Sequence, residues 1–79
     1  MSYTKRWADD VKDVQEQAVR GRELPTARER LVALRELFEE CGYLARVYPC
    51  PCRAAAELVS VAAAAWQESA PDEPAVTAA

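Results

Sequence analysis

Residues 26–41 read TARERLVALRELFEEC, and this stretch decides the fold. Thr26 followed three residues later by Glu29 matches a capping box. In that motif the hydroxyl accepts from the amide of the third helical residue and the carboxylate reaches back to the cap's own amide. Behind the cap, Ala27, Leu31, Leu34, Phe38 and Cys41 recur at spacings of four and three, and Ala33 and Leu37 widen the stripe. That period belongs to an amphipathic helix with one face packed. The opposite face carries Arg28, Glu29, Val32, Arg35, Glu36, Glu39 and Glu40. Gly42 is expected to end the helix. Glu39 and Glu40 near that end oppose the macrodipole, so the end is expected to fray or to be compensated.

The same period appears upstream. Tyr3, Trp7, Val11, Val14 and Ala18 form a narrow seam, which predicts a helix over residues 3–20. Ser2 or Thr4 can cap its start. Asp9 and Asp10 lie early and Arg20 late, as the macrodipole favours. Gly21 suits the left-handed position after a helix, and Pro25 pushes Leu24 out of helical geometry.

Downstream, residues 42–52, GYLARVYPCPC, are the least regular. A short helical turn over residues 43–48 is expected, halted by Pro49 and Pro51. Pro51 suits a first helical position, and the alanine-rich run after it predicts a helix over residues 52–68. Ala55, Leu58, Val59, Ala62, Ala65 and Trp66 make one side of it, and its polar strip (Arg53, Glu57, Ser60, Gln67 and Glu68) is narrow. Residues 70–79, APDEPAVTAA, read as a disordered tail.

The expected architecture is therefore all-α: a small three-helix bundle with antiparallel neighbours in one domain, residues 1–69, followed by the tail. At 79 residues the chain buries a modest core. A Rossmann sheet, a barrel and a large enclosed active site are excluded by length. The third helix carries a wider apolar arc than two short partners cover. Homodimerisation, or docking on a larger protein through its Ala/Val face and the 43–52 loop, is expected.

Composition narrows the chemistry. There is no His, which removes the commonest general base and the commonest zinc ligand. No Gly-rich phosphate loop exists with two glycines. Glu36, Glu39 and Glu40 lack any accompanying nucleophile or oxyanion set and read as a solvated charge run. No catalytic residue is assigned, and no cofactor is expected. Cys41, Cys50 and Cys52 are weak metal-ligand candidates, since structural zinc wants four ligands and usually paired CxxC motifs. Read plainly, Cys41 is a small core residue and the other two pack beside proline. Three cysteines is an odd number for a disulfide framework.

Net charge is −3, distributed unevenly. Residues 1–35 hold eight Lys/Arg against six Asp/Glu, and residues 36–79 hold two against seven. Arg20, Arg22, Arg28, Arg30 and Arg35 cluster in the basic half, interrupted by Glu23 and Glu29. The plain reading is a solvated helix face with the i,i+4 pair Arg35–Glu39. The functional reading is a surface for an anionic partner. Val32 stands alone among charges, and Tyr43 and Tyr48 flank the irregular loop as amphipathic rings suited to an interface. Arg28, Val32, Arg35, Tyr43 and Tyr48 are accordingly the candidate partner-binding residues.

The opening MSYTKRWADD has no apolar core of a secretory signal. The longest apolar run, from Val61 to Trp66, falls far short of the ~20 residues a membrane span needs. A cytoplasmic location is expected. Abundant Ala and Arg at the expense of Ile, Asn and Lys suggest a GC-rich bacterial or phage source. The function these features favour is a non-catalytic protein-binding module that modulates or inhibits a larger protein or complex. By size class alone it is analogous to phage and mobile-element inhibitors of host machinery. A small dimeric regulator touching nucleic acid through the arginine face is the alternative, less favoured in an acidic chain. A cysteine-based metal or redox sensor is a second alternative.

Overall fold

The computed structural model describes residues 3–68 as three helices: α1 Tyr3–Arg22, α2 Ala27–Ala45 and α3 Pro51–Glu68. The expected disordered tail, residues 70–79, lies outside the described residues. The all-α three-helix architecture is as the periodicity predicts. Trp7 near the start of α1 meets Tyr48 just after α2 and Ala54 at the start of α3. At the other end, Gly21 of α1 lies against Ala33 of α2 and Trp66 of α3. The helices therefore run up, down and up, each packed on both others.

The core is one cluster, Val14, Ala18, Leu37, Cys41, Leu58 and Ala62, with Trp7, Val11, Leu44, Val59, Val61, Ala65 and Trp66 around it. A smaller cluster of Ala45, Tyr48 and Ala54 closes one end. Thr26 caps α2 as expected: its Oγ1 accepts from the Glu29 amide at 3.1 Å. The Glu29 carboxylate differs from the expected box, because it accepts from the Thr26 hydroxyl at 3.1 Å. Arg30 Nη1 donates to the Leu24 carbonyl at 2.7 Å and clamps the α1–α2 connection. Pro51 is the first residue of α3, where its missing N–H costs nothing.

Three local expectations need correction. Helix α2 does not end at Gly42 but continues to Ala45, so the turn expected over residues 43–48 is partly helix. Leu44 and Ala45 prolong the packed face of α2, and burying them outweighs the roughly 1 kcal/mol that an interior glycine costs. Glu39 and Glu40 consequently lie before the last turn, and the cationic Arg46 sits at the cap. Asp10 does not serve the macrodipole either. It lies two turns inside α1, buried.

Gly21 is not a left-handed terminator, since no described glycine has positive φ. It sits inside α1 because a Cβ there would meet Ala33 Cβ and the Trp66 ring, each at 3.0 Å. Around Gly42 nothing lies within 4 Å of such a Cβ. Opposite outcomes are expected for the two alanine substitutions. Gly42→Ala should stabilise by about 0.5 kcal/mol through helix propensity. Gly21→Ala should destabilise by about 1 kcal/mol, because overpacking of roughly 1–3 kcal/mol exceeds the propensity gain. Urea-unfolding midpoints check this. A rise in both midpoints would refute the close approach of the three helices at Gly21.

Candidate protein-binding surface

Helix α2 presents its core face at Leu37, Cys41 and Ala45. Positions 28, 32, 35 and 43 fall on the far side of a 3.6-residue repeat from that face. Arg28, Val32, Arg35 and Tyr43 are accordingly exposed, Val32 by 50% and Tyr43 by 58%. Val32 lines an open groove with Leu24, Arg28, Glu29, Ala33 and Glu36. Arg35 Nε lies 3.4 Å from Glu39 Oε2, with both side chains well exposed. Such a pair contributes little to stability and leaves the guanidinium available. The Arg46 guanidinium stacks 4.2 Å from the centre of the Tyr43 ring, a cation–π contact that orients the ring at the end of α2.

Tyr48 does not belong to this surface. Its place beside the irregular loop predicts a ring offered to a partner, but only 8% of it is exposed. The chain turns after Ala45, where the Tyr48 amide donates to the Ala45 carbonyl at 3.0 Å, and this aims the side chain inward. Its ring meets Trp7 edge-on with centroids 5.4 Å apart, and its hydroxyl donates to Asp10 Oδ2. Burial, and then the Asp10 carboxylate, push its pKa up to about 12. Asp10 is also approached by Arg6 Nε at 3.9 Å. The buried carboxylate thus has partners, as a charge out of water requires.

The thiols are separated by environment. Cys41 is fully buried in the core, whereas Cys50 and Cys52 are exposed at the start of α3. Burial, followed by the neighbouring Glu40 charge, raises the Cys41 pKa to about 11, which leaves a protonated, unreactive thiol at neutral pH. Among the described residues no group of three or more His, Cys, Asp or Glu is placed to hold a metal ion. No helix among them is long and apolar enough to cross a membrane.

The sequence reading missed part of the surface. Leu31 is 68% exposed and Phe38 39% exposed, and Ala27 is exposed with them. By hydrophobic period alone these residues fall on the core stripe of α2. Instead, Ala33, Leu37, Cys41 and Leu44 turn toward the neighbouring helices, and the stripe 27–31–34–38 lies along the edge of the bundle. There Ala27, Leu31 and Leu34 line a groove of ≈ 340 Å³ together with Arg22, Arg30 and Trp66. The apolar arc of α3, by contrast, is largely covered: Val59, Val61, Ala65 and Trp66 are half-buried against the core. The unsatisfied apolar surface that the sequence placed on α3 is mainly on α2. No protein-family model, curated protein or solved structure matches the chain.

Proposed function

We propose that the chain is a non-catalytic protein-binding module whose outer α2 surface occupies a larger protein and thereby modulates it. The observation that carries this reading is the exposed apolar stripe of Leu31 and Phe38, beside Val32 and under arginines. Large apolar side chains exposed in one row mark an interaction surface more often than isolated ones do. Two further features favour binding over catalysis. The grooves along α1 and α2 are open depressions. Among the described residues, the two groups with raised pKa, Cys41 and Tyr48, are buried and line none of those grooves.

Capture from nuclease-treated lysate with the full chain tests the proposal, using Leu31→Glu as the control bait. One dominant partner, retained by the parent chain and lost from the variant, is the expected result. Retention that returns only when nucleic acid is left intact would overturn it in favour of a nucleic-acid regulator. Such retention should fall steeply with salt.

A further inference from the structure

We propose that the groove between α2 and α3 receives an acidic amphipathic helix of the partner protein, its apolar side chains on Leu31, Leu34, Phe38 and Trp66 and its carboxylates on the arginine edge. This deepens the binding-module reading and rests on it. The apolar floor is built from both helices. On α2, Leu31, Leu34 and Phe38 follow one another at helical spacing, and Trp66 of α3 lines the groove with the first two. Val59 and Ala63 stand seven and three residues before Trp66, on the same edge of α3, and are half-buried. Two apolar rows flanking a furrow are what a helical ligand with i, i+3, i+7 anchors engages.

Charge decides the kind of helix. Arg22 and Arg30 stand at one end of the groove, and Arg28 and Arg35 run along its outer edge on α2, both exposed. Glu39 pairs with Arg35 at 3.4 Å through exposed side chains, a weak, solvent-screened contact that a ligand carboxylate can displace, while Glu29 and Glu36 line the separate groove with Leu24 and Ala33 on the other side of Arg28. On α3, Glu57 and Glu68 fall on the edge away from Trp66. Arg22 adds an independent sign: its Nε is buried without a hydrogen-bond partner, a donor whose desolvation a ligand carboxylate would offset.

A second copy fits less well. A two-fold pairing of antiparallel α2 helices sets Arg28 and Arg35 against the same two residues of the other copy. The chain's own residues 69–79 follow α3 directly and contain Asp72 and Glu73, but offer only Val76 as a large apolar side chain against a floor of four.

The test uses the full chain and three synthetic peptides of roughly eighteen residues, long enough for five turns. One carries Leu at i, i+3, i+7 and i+10 with flanking Glu. The second replaces Glu by Lys, and the third is a scramble of the first. Tryptophan fluorescence and calorimetry report binding. The Glu peptide is expected to bind in the micromolar range, at least about tenfold tighter than the Lys peptide, with affinity falling as salt rises. Leu31→Glu should abolish binding. Arg28→Glu with Arg35→Glu should reverse the preference so that the Lys peptide binds better, a rescue that mere misfolding cannot produce. Equal binding of the two charged peptides, or no effect of Leu31→Glu, overturns the proposal. A tenfold gain on deleting residues 70–79 would assign the groove to the chain's own terminus and overturn it too. So would a dimer that Leu31→Glu dissociates. A lysate partner lost on Leu31→Glu, with the Glu peptide bound no better than the scramble, would remove the helical occupant while the α2 binding-surface reading survives. A lysate partner held undiminished by Leu31→Glu would remove the α2 surface and this groove together. Peptide binding without any lysate partner would leave the groove and remove the module reading.

Discussion

Leu37→Ala is expected to destabilise the chain by about 3 kcal/mol, and Leu31→Ala by no more than about 0.5 kcal/mol. Both are leucines of α2, six residues apart, and both look like core positions by hydrophobic period. Leu37 is 1% exposed and packs in the central cluster with Val14, Cys41 and Leu58. Removing its side chain forfeits the transfer free energy and leaves a cavity between three helices. A domain of this size has little stability in reserve, so much of the Leu37→Ala population should unfold at ambient temperature. Leu31 projects into solvent at the rim of the groove, so truncation removes little buried area. Urea titrations followed by helical circular dichroism measure both. If Leu31→Ala cost as much as Leu37→Ala, and the cost grew with protein concentration, Leu31 would be buried between copies. A cost independent of concentration would mean that α2 is rotated about its axis relative to this packing.

That contrast locates what the sequence could disclose. The number of helices, their order and their starts were legible because each rests on local chemistry. The hydroxyl of Thr26, the ring of Pro51 and the spacing from Trp7 to Ala18 act within a few residues. The rotation of α2 was not legible, because its apolar arc runs from Ala33 to Leu31 around the helix with only Arg30 inside it. Period identifies such an arc but not its centre. The centre is set by what the neighbours present. Gly21 and Ala33 are small enough for α1 and α2 to approach closely with the Trp66 ring laid against them. In the sequence Gly21 looks like a helix terminator, which conceals that approach, and hydrophobic period alone then places the stripe Leu31–Phe38 inward. The polar face suffered less. Arg28, Val32, Arg35 and Tyr43 are exposed because a charge on either side fixes which way a helix turns them. Tyr48 lies beyond the helix end, where no period applies, and its burial depends on Asp10, thirty-eight residues earlier.

Tyr48→Phe is expected to cost about 1–3 kcal/mol at neutral pH and to shorten the alkaline limb of stability. The substitution keeps the edge-on packing against Trp7 and removes only the hydroxyl. What remains is a buried Asp10 carboxylate without its donor, supported by Arg6 at 3.9 Å, and an under-satisfied buried charge carries a penalty of that order. The sign of the pH effect follows from which form the fold prefers. In the folded chain the phenol stays neutral up to about 12, against an ordinary value of 10. Its contribution is therefore complete below pH 10 and is lost as pH rises from 10 to 12, where the unfolded chain sheds the proton more readily. The Cys41 thiol behaves alike one unit lower, held neutral to about 11 against 9. The parent chain should thus keep a constant stability from neutrality to about pH 9 and lose it progressively up to about pH 12. In Tyr48→Phe the decline should finish near pH 11, where only Cys41 contributes. Adding Cys41→Ala should flatten most of what remains, at a further cost of about 1 kcal/mol for the lost sulfur. Urea midpoints across the alkaline range decide the matter. A Tyr48→Phe variant as stable as the parent, with a superimposable alkaline decline, would show that the hydroxyl is hydrated and that the contact with Asp10 does not close this end of the bundle.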